Sequence, residues 1–363
     1  MFNKIKIKKT LLPTGGIVLA TAVYNIDDEI IKPTGWEKIK TLKITKQSNF
    51  HPPQNPIILC HGLSGFNSIQ IIPSFDQIKR ILLKTAQVAT VDQSPFEAII
   101  SIDYWHGIKK KLEQNGCKVF IAKVAPYGSI SQRANLLNAF INQICVENDF
   151  QNINLVAHSM GGLDCRYLIS AISDEQKTYK VLSLTTLSTP HHGSAVANLL
   201  VNELKLGKVI AEDGTSKLVP PAFGQLTTQY LEEFNQKYKK DENVAYFSYG
   251  AYFWPKWYNF FFITWKIIFN STHVLEDRMN DGMVSINSSK YGEFLGVLGN
   301  VDHLTLINWL DLNKKFKLAS WFSEGDVLKS KGSKDISVKD LTDDFDILDF
   351  YVTICDNIGV RGF

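Results

Sequence analysis

Residues 157–161 read Ala-His-Ser-Met-Gly, with the apolar run Ile153–Ala157 leading into them and a helical pattern through Tyr167–Ile172 following. Few short segments restrict a fold as much as this one. A serine held on a sharp turn between strand and helix has a strained backbone, and its hydroxyl stands clear of the sheet. Side chains two before and two after it would collide, so both positions must be small. Ala157 and Gly161 meet that demand, with alanine where glycine is commoner. The helix that follows aims its positive N-terminal end at the turn, where a developing anion can be held. Ser159 therefore reads as a nucleophile rather than a structural serine.

The surrounding pattern alternates strand and helix. Ile57–Cys60 is a short apolar run that stops at His61-Gly62, as a buried strand feeding a tight loop does. Asp103–Leu112 is amphipathic and ends at Gly116, Lys118–Val124 reads as a strand, and Ser131–Glu147 as a long helix. Val181–Leu187 is a further strand before Thr189-Pro190. Such alternation predicts an α/β protein with a mostly parallel, doubly wound sheet. Residues 67–100 look like an excursion from it. Lys329–Lys334 reads as a solvated linker before a C-terminal helix over Asp344–Asn357.

Charge and composition exclude several classes. A net charge of +3, dispersed along 363 residues, gives no footprint for nucleic acid. No run reaches the roughly 18 to 20 apolar residues of a spanning helix. The five cysteines, Cys60, Cys117, Cys145, Cys165 and Cys355, are odd in number and widely spaced, so buried free thiols are expected, with no metal site and no cofactor. No secretory signal is evident. The first residues carry Lys4, Lys6, Lys8 and Lys9 and no acid before Asp27, which suits either a mitochondrial targeting segment or an exposed strand with Ile5 and Ile7 on one face. The expected division is a basic N-terminal extension over 1–50, a catalytic domain over 51–310 and a C-terminal helical extension over 311–363.

A serine nucleophile needs backbone donors from a second loop, together with an acid and a base later in the chain. The loop His61-Gly62-Leu63-Ser64-Gly65-Phe66 is glycine-rich and follows a strand, so the amides of Leu63 and Met160 are the expected oxyanion donors. Of eight histidines, only His191, His192, His273 and His303 follow Ser159. His191 and His192 precede any plausible acid and fit a cleft wall better than a base. Asp281, in the turn Asn280-Asp281-Gly282, and then His303 keep the required order of serine, acid and histidine. Asp277 or Asp302 as the acid and His273 as the base are the rivals, and Asp302 is too near His303 in sequence to reach the far side of its ring.

Together these segments resemble the secreted bacterial true lipases and, more closely, fungal triacylglycerol lipases of the mitochondrial type. The resemblance rests on HGLSGF (61–66), DYWHGI (103–108), AHSMGGLDCRY (157–167), STPHHGS (188–194), QLTTQYLEEFNQKY (225–238), NDGMVS (280–285) and Asp302-His303-Leu304. It implies an α/β-hydrolase fold with helical lid or cap insertions at about 195–270, and the same roles for Ser159, Asp281, His303, Leu63 and Met160. Many bacterial relatives bind calcium through an aspartate two residues after the histidine. Thr305 stands there, so no metal is expected.

The resemblance implies a serine lipase or esterase acting on acylglycerols or other lipid esters. A phospholipase or lipid acyltransferase on the same triad is the alternative, and a non-catalytic scaffold a more distant one. A lid is expected within 195–222. Tyr252–Phe269 is unusually aromatic, and Trp254, Trp257, Phe261 and Trp265 fit either a membrane or lipid-droplet interface or a packed cap over the site. The expected location is mitochondrial, or else cytosolic and peripheral on a lipid surface.

Overall fold

A computed structural model describes residues 30, 32–44, 49–63, 68–69, 102–203, 220–256, 259–309 and 346–363. Six parallel strands form the central sheet: β1 (Ile57–Cys60), β2 (Val119–Ile121), β3 (Asn152–His158), β4 (Lys180–Leu187), β5 (Ala245–Tyr252) and β6 (Glu293–Gly299). Their spatial order is β2-β1-β3-β4-β5-β6. β1 and β3 are neighbours that send their chains in opposite directions across the sheet. Ligands gather at such a switch point, beyond the carboxyl ends of the strands. Both of the loops expected to carry chemistry, after Cys60 and after His158, leave the sheet there.

Burial explains why β1 reads as an unbroken apolar run. All four of its residues are buried, because helices cover both faces of a parallel sheet. On one face, α1 (Ile108–Gln114) joins α6 (Ile347–Val360) in a core that includes Ile57, Leu59, Trp105, Leu112, Phe350 and Ile354. On the other, α2 (Ile130–Asn148) and α3 (Gly161–Ala171) close over Ile58, Leu137, Ile141, Leu155 and Leu168. Ser129 caps α2 in a reciprocal box with Gln132, satisfying two amides at its start. The C-terminal helix is therefore part of the core. Trp105 meets Tyr351 edge-on at 6.0 Å, and Tyr351 donates its hydroxyl to the Leu306 carbonyl at 2.9 Å.

Two expectations change. The interval 195–270 contains β5, a strand inside the sheet, so cap material lies on both sides of that strand and is not one insertion. The residues expected in the N-terminal extension also reach the sheet: Thr41 bridges Val297 of β6 in parallel, and Trp36 packs edge-on against Trp254 at 5.5 Å. The lysine-rich start, the excursion over 67–100 apart from residues 68 and 69, the greater part of the expected lid at 204–219 and the 329–334 tract lie outside the described residues. Among the described residues, no helix is long and apolar enough to cross a membrane.

Candidate active site

Ser159 occupies the turn between β3 and α3 at φ 56, a left-handed conformation that a non-glycine residue adopts only where the surroundings enforce it. Its amide donates to the Leu187 carbonyl at 2.9 Å, and Thr189 Oγ1 donates to its carbonyl at 2.7 Å. The close approach anticipated from the sequence is present. A Cβ on Gly161 would come within 2.6 Å of the Cys60 carbonyl oxygen and 2.7 Å of that of His61. Only glycine lets the start of α3 lie against the loop after β1.

Ser159 Oγ lies 2.9 Å from His303 Nε2, and His303 Nδ1 lies 2.7 Å from Asp281 Oδ2. Asp281 is fully buried. Its other oxygen, Oδ1, accepts the amides of Met283 and Val284 at 2.9 and 2.8 Å, so the carboxylate is held on both sides. The His303 amide also donates to the Asp281 carbonyl at 2.9 Å, which ties the two loops together. Such bonding leaves Nε2 of His303 able to accept a proton from Ser159 while Nδ1–H faces the acid.

The rivals fall elsewhere. Asp302 Oδ1 accepts the amides of Leu304 and Thr305 and the Thr305 hydroxyl, at 3.0, 2.8 and 2.9 Å, so it closes a local turn. Burial pushes its carboxyl above the usual range. His273 is exposed, and Asp277 lies in the short helix Leu275–Arg278. His191 is buried, with Nε2 3.0 Å from Thr186 Oγ1 and Nδ1 3.3 Å from Arg166. Its role is structural. Among the described residues, no group of three or more His, Cys, Asp or Glu is arranged to hold a metal ion.

The loop after β1 is pinned more thoroughly than its glycines suggest. Arg133 of α2, fully buried, donates from Nη2 to the carbonyls of His61 and Gly62 at 2.8 and 3.2 Å. The same guanidinium contacts Asp164 Oδ2 at 2.7 Å. The Val124 amide donates to His61 Nε2 at 3.2 Å, so the other nitrogen carries the hydrogen and donates to the Gly62 carbonyl at 2.9 Å. Burial and Arg133 push His61 down to about 4, so it stays neutral. With the Gly62 carbonyl fixed by two donors, the trans peptide turns the Leu63 N–H the opposite way. Met160, buried at the start of α3, offers the other expected amide. Neither Arg133 nor Asp164 was picked out as functional from the sequence, because a buried ion pair leaves no local signature.

Three of the four aromatic residues singled out in this segment pack instead of projecting. Trp265 and Phe261 are buried, Trp254 is half-buried, and Trp265 stacks on Phe269 at 4.5 Å. Phe261 approaches the His303 ring edge-on at 6.3 Å, and thus walls the site. Trp257 lies outside the described residues. Of the two readings of this segment, the packed cap applies to Trp254, Phe261 and Trp265.

Residues 55–208 match the α/β-hydrolase fold family. Triacylglycerol lipase 2 of Saccharomyces cerevisiae is 39% identical over 329 residues, covering 87% of this chain and 94% of that protein. The chain belongs to the α/β-hydrolase lipases. A triacylglycerol lipase of Vibrio cholerae is 25% identical over 73% of this chain and 83% of its own length. Among solved structures, the mature lipase BlEst2 of Bacillus licheniformis superposes with a TM-score of 0.51 over 76% of this chain and 96% of its own, at 19% identity. At that identity the superposition speaks for the α/β-hydrolase fold alone.

Proposed function

We propose that this α/β-hydrolase lipase hydrolyses acylglycerols through a Ser159–His303–Asp281 triad and an acyl-enzyme. The observation that carries the reading is the unbroken run Asp281 Oδ2–His303 Nδ1 and His303 Nε2–Ser159 Oγ, 2.7 and 2.9 Å long, ending on a serine with left-handed backbone. Ser159 Oγ adds to the ester carbonyl carbon while its proton passes to His303 Nε2. The amides of Leu63 and Met160 hold the oxyanion. Collapse of the tetrahedral intermediate breaks the ester C–O bond, and His303 returns the proton to the leaving alcohol. Water then adds to the acyl-enzyme and gives its proton to His303, which returns it to Ser159 Oγ as the acyl C–O bond breaks and the fatty acid leaves. Asp281 stays ionised and steadies the imidazolium in each half.

The substrate is met at a lipid surface by the outer side of α5 (Phe262–Ser271) and its flanks. Trp265, Ile268 and Phe269 point inward. Phe260 and Ile263 are 65% and 69% exposed, Val274 is 58% exposed, and half-buried Ile267 continues the same helical phase. No Asp or Glu occurs between Glu242 and Glu276, whereas Lys256 and Lys266 do. An apolar stripe flanked by lysines suits a lipid–water interface.

The test is fatty-acid release from emulsified triacylglycerol and from a soluble short-chain ester, beside Ser159→Ala. Release from the emulsion that disappears in the variant supports the proposal. Ser159-dependent turnover of the soluble ester alone contradicts the acylglycerol assignment, and release that survives Ser159→Ala contradicts the triad.

A further inference from the structure

Two residues of the sequence motifs have no part in the steps above, and they meet behind the loop after β1. Tyr104, just before α1, and His158, the last residue of β3, are both buried. The Tyr104 hydroxyl oxygen lies 2.9 Å from the Gly62 amide nitrogen and 2.7 Å from His158 Nδ1. An amide N–H only donates, so the phenol oxygen accepts from Gly62 and its own hydrogen is left for His158. Burial holds Tyr104 well above the phenol range and His158 well below the imidazole range, so both stay neutral. The direction of the chain follows: Gly62 N–H to Tyr104 oxygen, Tyr104 O–H to His158 Nδ1.

His158 therefore carries its hydrogen on Nε2. That N–H is buried beside the His303 main chain. The His158 ring stands 4.5 Å from the His303 ring at 44°. Both ends of the chain thus finish on groups that touch Ser159. At one end is Gly62, where a Cβ would come within 2.7 Å of Ser159 Cβ; at the other is His303 itself.

We infer that Tyr104 and His158 are a positioning pair for the reaction, holding from behind both Gly62, the residue that precedes the Leu63 amide, and the imidazole that serves Ser159. The inference rests on the triad proposed above. Packing alone would be met by phenylalanine and leucine, which bury no polar group. A polar chain in a closed site strengthens each of its bonds in turn and fixes one arrangement. Both residues are buried behind the site, so the pair acts on how well the transition state is met, leaving ground-state binding alone.

The experiment measures kcat and KM on a soluble ester for Tyr104→Phe, His158→Leu and His158→Asn, for the double Tyr104→Phe/His158→Leu, and for Ser159→Ala. Tyr104→Phe keeps the ring and is expected to lower kcat roughly 10- to 100-fold with KM within about twofold. His158→Leu is expected to match it. His158→Asn sets an amide oxygen near the place of Nδ1, accepts the Tyr104 hydroxyl, and restores a large part of kcat. Because the two residues act in series, the double variant loses no more than either single one. Tyr104→Phe within about twofold of the parent, equal losses in kcat and KM, no rescue by asparagine, or additive losses would each overturn the pair while Ser159→Ala stays inactive. Activity that survives Ser159→Ala would overturn the triad and the pair together. The long-range 1H–15N spectrum of His158 gives a check independent of turnover: hydrogen on Nε2 agrees with the chain, and hydrogen on Nδ1 contradicts it.

Discussion

Arg133 and Asp164 form a buried ion pair, 2.7 Å from Nη2 to Oδ2, and the same guanidinium nitrogen holds the His61 and Gly62 carbonyls. Stability and the shape of the loop after β1 are joined at one side chain. Removing one member of a buried pair leaves the other uncompensated, which costs about 3–5 kcal/mol. Arg133→Ala is expected to lose about that much in denaturant unfolding. Asp164→Asn should lose less, since burial already pushes the Asp164 carboxyl up to about 6 and the amide keeps an acceptor for Arg133. A loss below about 1 kcal/mol in Arg133→Ala would contradict the role assigned to the pair.

Gly161→Ala tests the crowding at the turn. The added methyl would meet the Cys60 and His61 carbonyl oxygens, and both belong to the segment that places the Leu63 amide. A displacement of that loop by a few tenths of an ångström to 1 Å is expected to lower kcat about 100-fold. The parent rate in a folded Gly161→Ala protein would show that the turn has room to spare.

Buried neutral histidines make the fold sensitive to acid. His61 is pushed down to about 4, and His158 and His191 are held well below 6.5, with burial as the main cause in each. Below pH 6.5 the unfolded chain takes up protons that the folded chain refuses, so folding stability falls as pH falls. Each such histidine contributes about 1.4 kcal/mol per pH unit until its folded pKa is reached. For His61 the window is pH 6.5 down to about 4. Denaturant unfolding at pH 7.5, 6 and 5 is expected to show a steep loss below 6.5. A flat profile would mean that these rings are charged or exposed in the folded protein.

The outer stripe of α5 makes a further prediction. Phe260→Ser with Ile263→Ser removes two exposed apolar side chains, each worth about 2 kcal/mol if buried in lipid. Hydrolysis of an emulsion is expected to fall tenfold or more, while turnover of a soluble ester stays within about twofold. Equal effects on both substrates would place the residues in the reaction instead of at the surface.

How far the sequence reaches depends on whether the cause of a feature is local. The turn around Ser159 is dictated by five consecutive residues, and β1, β3 and β4 by apolar runs, so all were legible. Asp281 and His303 followed from chain order, and their geometry agrees with it. β5 and β6 did not stand out. Ala245–Tyr252 is aromatic on both faces and runs directly into the aromatic segment, while Glu293–Gly299 is interrupted by Gly296 at φ 148, opposite a register shift in the ladder. Aromatic density left the surface reading open between an interface and a packed cap. It could not say which residues face out, whereas helical phase separates buried Trp265, Ile268 and Phe269 from exposed Ile263. The chain Gly62–Tyr104–His158 joins three segments far apart in sequence, and no window along the chain contains it.

The most direct test of the central claim is to treat the folded protein with an alkyl phosphonate ester and map the adduct by peptide mass spectrometry. Displacement of the phosphonate leaving group by an activated serine leaves a stable phosphonyl–oxygen bond. The account expects one adduct, on the peptide bearing Ser159, absent in Ser159→Ala and formed at least about 100-fold more slowly in His303→Ala. A folded protein that gains no adduct, gains it on another serine, or reacts as fast without His303 would contradict the account.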